Sequence, residues 1–237
     1  MRNQIVNIYG DSIMRGTVID SGHRYHSTMP GLLKWLGELS GLRFRNRAHF
    51  GITIEKGKQV LEKDLQSGVD CGYAVLSFGG NDCSFAWEEI AADPMREHLP
   101  FTDIATFKAT CVEMIGQLEK RGIRPILATL PPLIAERHLT FVGKSEEGCR
   151  NILHWLGDVN MIYRFHEMYS NAVVQIAEKT NTILVDVRNR FLEKRNLTEL
   201  VGLDGVHLSP EGYRLYVQIF ADFVEGKKKT PSQMVFA

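Results

Sequence analysis

The chain has 237 residues, 44% hydrophobic and 24% charged, and its 28 basic side chains balance 28 acidic ones. A chain of this length buries roughly 70% of its unfolded surface and needs no disulfides to be stable. Zero net charge argues against a broad nucleic-acid or membrane-binding face, and the Lys227-Lys228-Lys229 run is read as part of a solvated tail.

Cys71, Cys83, Cys111 and Cys149 form no C-x-x-C pair, and no histidine stands at zinc-finger spacing. The cysteines therefore read as small buried hydrophobes rather than metal ligands. No apolar run approaches the length of a membrane span, and Met1–Gln4 leads into a strand without a signal-peptide core. The expectation is a cytoplasmic protein with no membrane insertion and no nucleic-acid partner.

In chain order, Ile5–Tyr9 is an apolar, β-branched strand that ends in Gly10-Asp11-Ser12. A polar loop is expected from Ile13 to Met29. Pro30 then opens a helix carrying Leu32, Leu33, Leu36 and Leu39 up to Gly41. Leu42–Arg47 alternates apolar and basic residues, as an edge strand does, and runs into Ala48-His49-Phe50-Gly51. Thr53 caps a helix ending near Gly68, and Tyr73–Phe78 reads as a central parallel strand ending in Gly79-Gly80-Asn81-Asp82.

A long connection, 83–102, precedes a helix over 103–121 stopped by Gly122. Pro125–Leu130 is the next strand. The stretch 133–160 has no sustained period and reads as a lid or binding segment. Met161–Thr180 is helical, Ile183–Val185 is a short last strand, and Ser209-Pro210-Glu211 starts a helix running to about Val224. Strands alternating with helices predict one parallel sheet covered on both faces. A single domain is expected over 1–226, followed by a tail over 227–237.

Four loops at or near the carboxyl ends of strands carry Ser12, Gly51, Asn81 and the Asp204–His207 pair. That end of an α/β sheet opens onto a crevice. A serine hydroxyl becomes a useful nucleophile when an imidazole takes its proton, and that imidazole needs a carboxylate to orient it. Asp204 stands three residues before His207, so one tight loop can pair them. Backbone N–H groups of Ser12 and Gly51 and the Asn81 amide can supply three donors to an oxyanion.

These blocks resemble the SGNH hydrolase superfamily, the GDSL-type lipases and esterases. The matching residues are Gly10-Asp11-Ser12-Ile13 with Gly16, then Gly51, then Gly79-Gly80-Asn81-Asp82, then Asp204-Gly205-Val206-His207. Ile13 replaces the family's leucine, a volume-conserving change. The resemblance implies a flavodoxin-like α/β/α sandwich with a five-stranded parallel sheet in the order 2-1-3-4-5. It implies Ser12 as nucleophile, His207 as general base and Asp204 as its orienter, with Ser12, Gly51 and Asn81 forming the oxyanion hole. No metal or cofactor is implied.

The leading functional reading is a carboxylic ester hydrolase acting through an acyl-enzyme on a small-acyl or acetyl ester of a soluble, small-molecule substrate. The alternatives are an acyltransferase, a lipase, lysophospholipase or thioesterase using the same residues, and a non-catalytic binding module on this fold. No phosphate-binding G-x-x-x-x-G-K-S/T or dinucleotide G-x-G-x-x-G motif follows a strand. Phe85, Trp87, Phe141 and Trp155 are candidate walls of the substrate pocket. Asp11 and Asp82 read as loop-bracing groups, His49 as a half-exposed loop residue, and Arg15 as a partner for a local carboxylate.

Overall fold

The structure is a computed structural model that describes residues 4–229. Its elements in order are β1 (Ile5–Gly10), α1 (Ser12–Arg15), β2 (Thr17–Ile19), β3 (Tyr25–Ser27), α2 (Met29–Ser40), β4 (Arg43–Asn46), α3 (Ile54–Gln66), β5 (Tyr73–Ser77) and α4 (Trp87–Ala92). They continue with α5 (Ile104–Glu119), β6 (Arg124–Ala128), α6 (Ala135–Gly143), α7 (Glu146–Leu156), α8 (Asn160–Thr180), β7 (Ile183–Val185), α9 (Val187–Leu192), α10 (Leu197–Leu200) and α11 (Pro210–Lys229).

Five strands form one parallel sheet in the order β4-β1-β5-β6-β7. With the β2–β3 hairpin set aside, this is the expected 2-1-3-4-5 order. The pleat sends alternate side chains to opposite faces. Val6, Ile8, Val75 and Ile126 pack on the side of α2, α9 and α11. Ile5, Tyr9, Ala74, Leu76 and Leu127 pack on the side of α3, α5 and α8. Because helices cover both faces, β1 is buried along its whole length, which is why it reads as a continuous apolar run.

One residue breaks that run. Asn7 is fully buried, and its amide donates to Tyr9 Oη, which donates to Asp64 Oδ2. Arg47 closes the network with two bonds to the same carboxylate, at 2.8 and 2.5 Å. Such partners offset the burial of these polar groups, although the Asn7 carbonyl oxygen has none among the described residues.

The structure differs from the sequence expectations in several places, α4 inside the expected 83–102 connection among them. The 13–29 loop contains α1 and an antiparallel hairpin, β2–β3, tied to α11 where Tyr213 Oη donates to the Thr17 carbonyl at 2.9 Å. The 133–160 stretch is helical, folding as α6 and α7. The last helix continues to Lys229, past the expected end near Val224 and into the first residues of the expected tail. Residues 230–237 of that tail lie outside the described residues.

Candidate active site

Ser12 sits at the first turn of α1, directly after β1. The helix is capped by Asp11, whose Oδ1 accepts from the Ile13 N–H at 2.9 Å. Gly16 closes the turn in the left-handed region and sends the chain into the hairpin. The hydroxyl of Ser12 is thereby held at the carboxyl edge of the sheet, 6% exposed.

His207 reaches it from the other end of the chain, with Nε2 2.8 Å from Ser12 Oγ. Its Nδ1 lies 2.6 Å from Asp204 Oδ2, and the other carboxylate oxygen accepts the N–H groups of Val206 and His207 at 3.0 and 2.9 Å. A carboxylate only accepts, so Nδ1 carries the hydrogen and Nε2 is free to take the serine proton. Burial alone pushes Asp204 up, but its bonds to the His207 ring and the two backbone N–H groups outweigh this and hold it below the usual carboxylate range. The group stays ionised wherever the imidazole is active.

The Asp204–His207 turn is braced from outside by α6. Gly205 adopts φ +76 and lies against that helix, where the Ile134 N–H donates to its carbonyl at 2.8 Å. Arg137 donates to the carbonyls of Thr198 and Val201, and Gly202 and His207 are joined by a 2.6 Å backbone bond.

Two further loops converge beside Ser12. The His49 N–H pairs with the Gly10 carbonyl, which extends the β1–β4 pairing; Gly51, two residues on, is not among the residues that line the cavity beside Ser12. Gly51 turns at φ +71 with open space where a Cβ would stand, so its backbone angle selects glycine there. The loop after β5 clamps this turn. Asn81 Nδ2 donates to the Ile52 carbonyl at 3.1 Å, and Asp82 Oδ1 accepts from the Ile54 N–H at 2.9 Å. Asp82 therefore caps α3 from across the sheet edge, whereas Thr53, the expected cap, makes no side-chain capping bond. Among the described residues, the N–H groups of Ser12 and Gly51 engage no hydrogen bond, and Asn81 keeps a second amide hydrogen.

Asp11 and Asp82 are both pushed up to about 6, chiefly by burial. The bond from the Ile13 N–H and proximity to His207 pull Asp11 partway back down.

A cavity of about 150 Å³ opens on Ser12, Asn81 and His207. Of the four aromatics expected to wall it, Phe141 does so. Phe85, Trp87 and Trp155 do not: they pack on one another in a satellite core between α4, α7 and α8, with ring centroids 5.0–5.5 Å apart. Long connections with their own helices need their own core, and these large rings supply it. His49 and Arg15 are exposed and do not line the cavity. The expected carboxylate partner of Arg15 is missing among the described residues.

Sequence reasoning also missed residues that the structure brings in. Tyr25, from β3, lines the cavity, sits 5.2 Å from the His207 ring and donates to Asp204 Oδ2 at 3.4 Å. Burial and the neighbouring Asp204 push its phenol up to about 12, so it stays a neutral donor. Phe50 stacks on the His207 ring at 5.9 Å, nearly parallel. His138 and His166 also line the cavity.

Comparisons with known proteins agree with this arrangement. The model of the GDSL-like lipase/acylhydrolase family matches residues 8–215. A lipase/acylhydrolase from Enterococcus faecalis superposes with a TM-score of 0.66 at 20% identity, covering 98% of this chain and 100% of that one. A catalytic mutant of an acetylxylan esterase from Geobacillus stearothermophilus superposes with a TM-score of 0.65 at 18% identity, covering 93% and 94%. The chain is also 22% identical to an uncharacterized lipoprotein, YqeF, of Bacillus subtilis, over 90% of this chain and 86% of that one. No helix among the described residues is long and apolar enough to cross a membrane. The match over residues 8–215, with four motif blocks meeting at one sheet edge, places this chain in the GDSL-like lipase/acylhydrolase family, the SGNH hydrolases.

Proposed function

We propose that this hydrolase cleaves carboxylic esters through an acyl-enzyme on Ser12. The observation that carries the reading is the continuous Ser12–His207–Asp204 relay, with links of 2.8 and 2.6 Å, opening on a cavity. In the proposed cycle His207 Nε2 takes the proton from Ser12 Oγ as the oxygen attacks the ester carbonyl. Asp204 stabilises the imidazolium that forms. The N–H groups of Ser12 and Gly51 and the free amide hydrogen of Asn81 receive the oxyanion. His207 then protonates the departing alcohol, and water, deprotonated by the same imidazole, releases the acid and restores Ser12.

The cavity favours a small ester. At about 150 Å³ it falls below the roughly 300 Å³ where drug-sized pockets begin. The acetylxylan esterase of similar fold points the same way, and a small acetyl ester of a soluble alcohol is the substrate we favour. Cys83, Cys111 and Cys149 stand outside any disulfide, and a reducing, cytoplasmic compartment is the one we favour.

The test is hydrolysis of p-nitrophenyl esters from acetate to palmitate by wild type and Ser12→Ala. The expected result is a preference for the shortest chains and a loss of about a thousandfold or more in kcat for Ser12→Ala. Equal activity of the two proteins contradicts the assignment.

A further inference from the structure

The cavity carries two imidazoles that the proposed cycle does not use, His138 on α6 and His166 on α8. Each is bonded to a partner that fixes where its hydrogen lies. His138 Nδ1 is 3.1 Å from the backbone carbonyl of Asp204. A carbonyl only accepts, so Nδ1 carries the hydrogen and Nε2 is a bare acceptor. His166 Nδ1 is 3.3 Å from Nη1 of Arg188. A guanidinium only donates, so here Nδ1 is bare and Nε2 carries the hydrogen. The two rings have opposite tautomers, and among the described residues neither Nε2 is spent on a protein partner.

Both rings are held neutral. Burial pushes His138 down, against the pull of Asp204. Burial and the Arg188 charge push His166 down to about 3. Arg188 itself is 5% exposed, lies over the Tyr163 ring at 4.8 Å, and has no carboxylate partner among the described residues. An unpaired buried cation is costly; besides a bond to the Leu130 carbonyl and the contact with the Tyr163 ring, it fixes and polarises His166. Trp87 packs edge-on against His138 at 5.7 Å and fixes that ring in turn.

A neutral acceptor and a neutral donor facing one cavity complement a group that both donates and accepts. We propose that His138 and His166 select esters whose alcohol half carries free hydroxyl groups, with His138 Nε2 accepting from, and His166 Nε2–H donating to, a hydroxyl or a vicinal pair. A plain alkyl ester gives neither ring nitrogen a partner, which is the basis of rejection. This inference rests on the esterase reading above and gives it a substrate class, polyol and sugar esters.

The test compares kcat/KM for glycerol monoacetate and propyl acetate, which share the acyl group and chain length and differ in two hydroxyls. Wild type is expected to prefer glycerol monoacetate by about tenfold or more. His166→Asn keeps an oxygen toward Arg188 and deletes the cavity donor. His138→Asn keeps an N–H toward the Asp204 carbonyl and deletes the cavity acceptor. Each is expected to reduce the preference about tenfold, and His166→Gln, which returns an amide N–H to the cavity end, to restore part of it. A ratio of two esters on one preparation is independent of the fraction that folds. Equal rates on both esters in wild type, or an unchanged ratio in both Asn variants, overturns the hydroxyl inference and leaves the esterase reading standing. Hydrolysis of neither ester overturns both.

Discussion

Ser12 Oγ and His207 Nε2 come within 2.8 Å although 195 positions separate them, and each is fixed by neighbours rather than by its own preference. Asp11 caps the serine turn, and Asp204 spends one oxygen on backbone and the other on the ring. Asn81 is a comparable case, because its bond to the Ile52 carbonyl aims the amide before any substrate arrives. A donor already in place costs no reorganisation as charge develops in the transition state. Asn81→Ala is therefore expected to lower kcat about 10²–10³-fold with a much smaller change in KM, checked by steady-state kinetics on a short-chain ester. A loss confined to KM contradicts an oxyanion role for this amide. At this scale the sequence was legible wherever one residue type has one chemistry. Ser12, Asp204 and His207 could be picked out by type and order, whereas His138 and His166 could not. Their tautomers depend on a backbone carbonyl 66 positions away and a guanidinium 22 positions away, contacts with no trace in local sequence.

Elements were legible in proportion to their regularity. The central sheet strands are short apolar runs, the edge strand β4 alternates apolar and basic residues, and the strand order came with the family resemblance rather than from the runs themselves. The β2–β3 hairpin was hidden because its strands have three residues each and β3 is exposed throughout. With it was hidden Tyr25, which the hairpin carries onto the His207–Asp204 pair. Helices α6 and α7 were hidden because they are amphipathic toward a small satellite core rather than toward the sheet. For the same reason Phe85, Trp87 and Trp155, which look like pocket walls in the sequence, are packing residues. Helix α6 has a second task as the anvil for the Asp204–His207 turn. A Cβ at Gly205 would stand 2.5 Å from both the His138 nitrogen and the Ile134 carbonyl oxygen, at a φ that disfavours side chains. Gly205→Ala is expected to destabilise by about 2–4 kcal/mol and to lower kcat as well, because the turn must leave α6. Denaturant unfolding and kinetics on the same preparation check this, and a stable, fully active variant contradicts it.

For the whole molecule, the site imposes a cost that pH reveals. Burial pushes Asp11 and Asp82 up to about 6, above the ordinary carboxylate range, so the folded state holds protons that the unfolded chain has released. Their contribution to stability is present below about pH 4, falls as pH rises through 6, and is lost above it. Asp11→Asn keeps an oxygen for the Ile13 N–H and removes one of the two charges. It is expected to stabilise the protein at pH 8 by up to about 3 kcal/mol, with the gain vanishing near pH 4, as measured by unfolding across that range. A gain independent of pH contradicts the assignment. The proposed cycle makes one claim on which the rest depends, that the acyl group passes through Ser12. The direct measurement is rapid acid quenching of the protein with p-nitrophenyl acetate, followed by peptide mass mapping. The account predicts one acetyl group on the peptide containing Ser12, formed and lost at rates that match turnover and absent in Ser12→Ala. Ester turnover with no acetyl on Ser12, or with the acetyl on another residue, would contradict it.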